Sequence, residues 1–183
     1  MKTDTNLPFS HLVSVARLPR SGMPLKLVAT QKECAALAQA HDLLGVASLS
    51  ANLLITSWRG EGVKVKGTIL ASITQECGIT LEPLEAIVNN EFEATYVPEG
   101  SKLARVQTDE NGEILLDAEG PDAPETFAGE SLDVGQVAEE FFELGINPYP
   151  RKAGASFDTA DEQDEAPSNV SPFAKLAALR QKQ

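Results

Sequence analysis

Three consecutive segments of alternating apolar residues constrain the fold of this chain more than any other feature. Ala47, Leu49, Ala51, Leu53 and Ile55 form an odd-numbered row, and Val63, Val65, Gly67, Ile69, Ala71 and Ile73 form a second. Leu84, Ala86, Val88, Phe92, Ala94 and Tyr96 form an even-numbered third. Successive side chains of a strand point to opposite faces, so three such rows in series predict an antiparallel meander with one buried face. Because the rows must share that face, loop lengths set the register. Odd against odd needs an odd loop, and Gly60-Glu61-Gly62 offers a three-residue turn with Gly62 left-handed and Leu53 opposite Ile69. Odd against even needs an even loop, supplied by Cys77-Gly78-Ile79-Thr80 with Gly78 first, as a type II′ turn prefers. Ile73 then faces Leu84, Lys64 faces Glu93 and Lys66 faces Glu91. Pro83 points to an edge or a bulge.

The flanks supply two helices. Thr30-Gln31-Lys32-Glu33 reads as a capping box, Cys34, Leu37, Ala38 and His41 fall on one helical stripe, and Gly45 is expected as the left-handed C-terminal residue. Asp133 is the expected N-cap of a second helix, with Gln136 as its reciprocal partner and Val134, Val137, Ala138 and Phe141 as its stripe, ended by Gly145 and Pro148. Leu12 to Leu18 and Leu25 to Ala29 read as short strands, and a weak hairpin is expected around Asp109-Glu110-Asn111-Gly112. Ala153 to Pro167 contains small, acidic and polar residues with Phe157 the only large apolar one, a composition that cannot bury enough surface to offset ordering. The expected architecture is therefore α+β. A mainly antiparallel sheet, with closure into a barrel left open, packs with two helices over residues 1–152, followed by a disordered acidic linker over 153–170 and a short amphipathic helix over 171–183.

Charge is segregated along the 183 residues. Residues 1–102 carry −1, residues 103–167 carry −14 and residues 168–183 carry +3, a net of −12. A chain of this balance repels nucleic acid and anionic membrane as a whole and suits a basic partner, so RNA contact requires a local patch. Two cysteines, Cys34 and Cys77, build neither a disulfide framework nor a four-cysteine zinc site and suit a reducing cytoplasm. No apolar stretch reads as a signal peptide or membrane span.

The candidate sites are few. Arg59, Lys64 and Lys66 with Trp58 form a possible cationic and stacking platform for RNA, although the expected register neutralises both lysines as cross-strand ion pairs. Glu139, Glu140 and Glu143 are a candidate docking face, with a plain solvent face as the simpler reading and a carboxylate-dependent nuclease as the least supported one. Tyr149, Arg151 and Lys152 lie in a stiff Pro-rich segment that either binds a partner or ends the domain by packing Tyr149 on the sheet. Phe173 and Leu176 lie on the stripe of the terminal helix, which has the form of a peptide-docking element. His41 reads as a core or boundary histidine. Cys34 and Cys77 read as small buried side chains, since no neighbouring His or Lys in sequence lowers the Cys77 pKa. No phosphate loop, nucleophile elbow or metal-spaced histidine pair occurs, so no enzyme, cofactor, metal or small-molecule substrate is expected.

Several elements in order resemble the YceD family, the bacterial and plastid large ribosomal RNA subunit accumulation proteins. They are the strand leading into Thr74-Gln75-Glu76-Cys77, the Phe92 strand, the run Ser131-Leu132-Asp133-Val134-Gly135 with the Glu139/Glu140 helix, and Ser171-Pro172-Phe173-Ala174-Lys175-Leu176-Ala177-Ala178-Leu179. The resemblance implies a non-enzymatic cytoplasmic factor for synthesis, processing or stability of large-subunit ribosomal RNA. The charge pattern adds a ribosomal protein or pre-ribosomal large subunit as the expected partner, with ribosomal RNA itself as the alternative. Many relatives carry C-x-x-C where this chain has Cys77-Gly78-Ile79-Thr80, and some have further cysteines where it has Pro148-Tyr149-Pro150-Arg151-Lys152. Thr80 removes a ligand, so no zinc role is carried over.

Overall fold

A computed structural model describes residues 7–104 and 123–155 of the chain. The long alternating segments become three long strands, β3 (Gly45–Trp58), β4 (Gly62–Glu76) and β5 (Pro83–Pro98). Before them lie β1 (Leu12–Ser14), β2 (Met23–Val28) and helix α1 (Gln31–Ala40); after them come a 3-10 turn at Lys102–Ala104, β6 (Glu125–Phe127), β7 (Ser131–Asp133) and helix α2 (Val134–Leu144). The main sheet has the order β2-β3-β4-β5-β6, antiparallel throughout except for the β5–β6 pair, which is parallel. β1 and β7 form a separate antiparallel pair. The architecture is α+β, and the main sheet ends at β2 on one side and β6 on the other, so among the described residues it is not a closed barrel. All these elements belong to one unit, residues 1–152. The expected hairpin at 109–112, the linker from residue 156 onward and the terminal helix lie outside the described residues.

The inward rows are those the alternation defines. Leu49, Ala51, Leu53 and Ile55, then Val63, Val65, Ile69, Ala71 and Ile73, then Val88, Phe92 and Tyr96 are all buried in one core with Leu37 of α1 and Val134, Val137, Ala138 and Phe142 of α2. α1 packs on β3, and α2 lies across β4, β5 and β1.

The register differs from the expected one because the turns do. The first loop is Arg59-Gly60-Glu61, with Arg59 (φ 47) and Gly60 (φ 89) left-handed and Gly62 already paired with Trp58. The shift places Gly67 opposite Leu53 and Ile69 opposite Ala51. Gly67 is required there: a Cβ would come within 2.6 Å of the Leu53 side chain and 2.8 Å of the Phe92 ring. The second loop has even length as expected but spans six residues, 77–82, with Leu81 rather than Gly78 left-handed (φ 58). Ile73 consequently faces Ala86, Lys66 faces Glu93 and Lys64 faces Thr95. Ala47 falls out of its row and is exposed, because the ladder is irregular between Val46 and Ser48. Pro83 pairs with Glu76 at the very start of β5, where no β6 residue lies alongside, so its missing N–H faces an open edge.

The helix ends were partly legible. Thr30 and Glu33 form the full capping box, but the chain reverses at Asp42 (φ 52), and Gly45 opens β3 instead of closing α1. Asp133 caps α2 by accepting from the Gly135 and Gln136 amides at 3.0 and 3.1 Å. No return bond from the Gln136 side chain is formed among the described residues; the capping oxygen Oδ1 also accepts from the His11 amide, and Oδ2 accepts from the Ser10 hydroxyl. The incoming segment crosses so closely that a Cβ on Gly135 would lie 2.5 Å from the His11 nitrogen. The apolar stripe of α2 is wider than expected, with Phe142 fully buried and Phe141 half-buried. The first strand is only three residues long, and Val15 leaves it by bonding to the Glu130 carbonyl.

Candidate partner-binding site

The acidic residues of α2 and its surroundings fall into three physical classes. Asp133 is consumed by capping. Glu139 is buried, with Oε1 3.3 Å from His41 Nε2, so it does not lie on a solvent or docking face. The contact is misaligned for a hydrogen bond, and His41 Nε2 and Glu139 Oε2 both lack hydrogen-bond partners among the described residues. Burial raises the Glu139 carboxyl above its ordinary range, and the opposing effect of His41 does not reverse this. Glu140 and Glu143 are exposed.

Glu140 borders a pocket of about 280 Å³ between α2, β6 and the end of β5, which Tyr96, Glu125, Phe127, Gln136 and Val137 also line. The parallel pairing sets Glu125 beside Tyr96 in register, and the helix brings Glu140 to the same side. The Glu140 carboxyl is raised, first by burial and then by repulsion from Glu125 and Glu143. Glu125 was not foreseen as a site residue; its approach depends on the β5–β6 pairing, for which three residues of β6 give no periodicity.

The basic hairpin is largely neutralised. Lys64 and Lys66 both pair with Glu93, one diagonally and one directly, and together they hold its carboxyl below its usual range. The Arg59 guanidinium lies 4.7 Å above the centroid of the Trp58 ring. Midway along β3, β4 and β5 lies an open groove of about 690 Å³ whose rim mixes Lys66 with Glu91 and Glu93.

The Pro-rich segment ends the domain, but not by packing Tyr149, which is 78% exposed. Backbone contacts anchor it: Asn147 and Pro150 carbonyls accept from the Gln75 side chain and the Gly78 amide, each at 2.9 Å. Lys152 pairs with Glu82 at 2.7 Å, and Arg151 is exposed. Phe173 and Leu176 lie outside the described residues.

This anchoring changes the chemistry of Cys77. The thiol is fully buried, as expected, yet its pKa is pushed down to about 6 by the Thr80 hydroxyl, followed by the amides of Thr80, Lys152 and Ile79. The Lys152 amide donates to Sγ at 3.3 Å from 75 residues away, a partner that no local sequence pattern reveals. Cys77 alone supplies a sulfur ligand here, beside a hydroxyl and backbone amides, so the residues do not fit a zinc site. Among the described residues no group of three or more His, Cys, Asp or Glu is placed to hold a metal ion.

The lowered thiol pKa has a consequence for stability. Between pH about 6 and the usual thiol value near 9, the unfolded chain holds a proton that the folded chain has released, so stability rises with pH across that window. The contribution is complete above pH 9 and lost as pH falls through 6. The gap between the melting midpoints of the intact chain and Cys77→Ser should be constant below about pH 5 and change progressively in favour of the intact chain toward pH 9. Parallel curves would show that the thiolate is not stabilised in the fold.

No described helix is long and apolar enough to cross a membrane. Neither the curated proteins nor the solved structures contain a match to this chain. A family model described as large ribosomal RNA subunit accumulation protein YceD matches residues 65–180, from near the start of β4 through α2 and into the C-terminal segment. With well over half its length covered by that match, the chain belongs to the YceD family.

Proposed function

We propose that this protein supports accumulation of large-subunit ribosomal RNA as a non-enzymatic cytoplasmic factor, by binding a basic ribosomal protein or a pre-ribosomal large subunit. The family supports the link to ribosomal RNA. The observation that favours a basic protein over RNA is the contrast between the two charged surfaces. Lys64 and Lys66 already share Glu93, whereas Glu140 and Glu143 are exposed with no Lys or Arg partner among the described residues. Free carboxylates repel phosphate and attract cationic side chains.

The test presents the immobilised full chain with total protein extracted from purified large ribosomal subunits and, separately, with deproteinised ribosomal RNA. Basic proteins are retained, with a salt-sensitive affinity that Glu140→Lys/Glu143→Lys lowers about tenfold or more. Retention of RNA instead, lost on Lys64→Ala/Lys66→Ala and steeply salt-dependent, would overturn this reading in favour of direct RNA binding. Glu139 stays unaltered in this test because it is buried.

A further inference from the structure

We infer that the outer edge of β5, from Glu85 to Glu93, is a docking site for an extended basic segment of a protein partner, which adds to the sheet as a further strand. This rests on the binding-factor reading above and deepens it by naming the kind of segment bound and where it sits.

An unfilled hydrogen-bonding edge carries the inference. β5 pairs with β4 along its length without a register shift, but with β6 only at Tyr96–Pro98. A strand turns its backbone groups to its two sides at alternate residues. At the loop, the Glu82 carbonyl accepts from the Cys77 amide on the β4 side, whereas past the strand the Glu99 amide donates to the Phe127 carbonyl on the β6 side. Even-numbered residues of β5 therefore turn their amides and carbonyls to β4. Glu85, Ile87, Asn89, Glu91 and Glu93 turn theirs outward, where no described backbone bonds to them. The inward side chains of Ala86 and Ala94 are only partly buried, as on a rim that the core has not closed. Proline, lysine or a bulge blunts many such edges, and the stretch from Leu84 to Thr95 contains none of the three.

Charge complementarity identifies the occupant. The same five residues are exposed on the outer sheet face. Glu93 is shared by Lys64 and Lys66, whereas Glu85 and Glu91 meet no Lys or Arg among the described residues. Opposite charges directly across two strands attract and like charges repel, so an added strand needs cations facing Glu85 and Glu91. Those two positions are six residues apart, whichever way the added strand runs. Between them, Ile87 is 68% exposed with Leu70 diagonally beside it at 51%, which suits an apolar side chain on the added strand. A second copy of this chain fits worse, because two antiparallel β5 edges centred on Val88 or Asn89 set Glu85 against Glu91 or Glu93. Strand addition draws its affinity from main-chain hydrogen bonds and its specificity from alternate side chains, and this edge supplies both.

The test adds the peptide acetyl-Lys-Thr-Gln-Thr-Val-Thr-Lys-amide, written for an antiparallel strand, to the labelled full chain and follows amide NMR signals and hydrogen exchange. In the free chain, the amides of Ile87, Asn89 and Glu91 should exchange much faster than those of Val88 and Phe92. Equal protection would mean that the edge is already filled and would overturn the inference. The peptide should shift the three edge signals saturably and slow their exchange. N-methylation of its Gln and Val keeps the charge but removes the amides that face β5, and should weaken binding about tenfold or more. Glutamate in place of both lysines should abolish binding. In the protein, Asn89→Pro removes an outward amide without touching the β4 ladder and should weaken binding about tenfold. Glu91→Gln, which alters no backbone group, should weaken it several-fold. Equal binding of the methylated peptide would reduce the effect to plain charge attraction and overturn the inference, as would no binding of any peptide. Self-association that Asn89→Pro abolishes, with no peptide bound, would assign the edge to a second copy instead. In each of these cases, salt-sensitive retention of ribosomal proteins by the intact chain would still uphold the proposed function. Loss of both results would remove the two together.

Discussion

Replacing Asp133 with alanine is expected to lower the unfolding free energy by about 2–3 kcal/mol, a large share of the roughly 5–15 kcal/mol of an ordinary domain. Loss of an N-cap costs about 1 kcal/mol on average, and Asp133 serves two helix amides, at 3.0 and 3.1 Å. The remainder comes from the other half of its work, acceptance of the Ser10 hydroxyl and the His11 amide, the latter at 2.7 Å. Those donors are exposed, so water replaces part of what is lost and the sum stays below the full value for two charge-assisted bonds. Asp133→Ser tests this: a single uncharged serine oxygen still caps the helix but cannot accept from all four donors that the two carboxylate oxygens serve, so it should retain roughly half the loss. Hydrogen exchange should locate the damage, with the Val15 amide, bonded to the Glu130 carbonyl at the β1–β7 junction, accelerating more than amides of β4. Denaturant titration of the three proteins measures the energies. Equal stability of Asp133→Ala and the intact chain would contradict the capping account.

Phe142→Ala carries a larger expected penalty, about 3–5 kcal/mol, because a fully buried aromatic ring leaves both lost transfer energy and a cavity. Phe142 also stands edge-on to the His41 ring at 5.5 Å, so its removal admits water to the buried His41–Glu139 contact. The neighbouring Phe141→Ala should cost less, about 1–2 kcal/mol: that ring is half-buried and stacks on Phe92 at a centroid distance of 4.1 Å. The order of the two variants in thermal and denaturant unfolding is the discriminating result. A larger loss from Phe141→Ala would mean that α2 is rotated relative to the structure.

That pair of phenylalanines also shows where sequence reasoning stopped. Counting from Val134, helical spacing reaches residue 141 at i+7 and residue 142 at i+8. Both satisfy a broad stripe, and only the surface beneath the helix decides which ring is covered. The alternation of β3, β4 and β5 was legible except at Ala47, which the irregularity between Val46 and Ser48 turns outward, because burying one sheet face imposes it on every strand. The registers were not, since they depend on which loop residue turns left-handed. Arg59 does so where Gly62 was the obvious candidate, which moved the β3–β4 pairings from Ser48 to Trp58 by two residues, and Leu81 does so in the second loop, which moved the β4–β5 pairings by two. Capping at Thr30 and Asp133 was readable as local chemistry. The burial of Glu139 beneath His41, the Lys152 amide on Cys77 and the approach of Glu125 to Glu140 join residues distant in the chain, so no local pattern announces them.

The two charged surfaces give the functional account its direction. Pairing on Glu93 occupies Lys64 and Lys66, so the hairpin does not offer these two lysines as free cations.

Its central claim is tested most directly by deleting the gene in its own organism and measuring the ratio of large-subunit to small-subunit ribosomal RNA. Complementation would use the intact chain, Glu140→Lys/Glu143→Lys and Lys64→Ala/Lys66→Ala. The account predicts a selective fall in large-subunit RNA that the intact chain and the lysine variant restore and the glutamate variant does not. An unchanged ratio in the deletion, or full restoration by the glutamate variant alongside failure of the lysine variant, would contradict it.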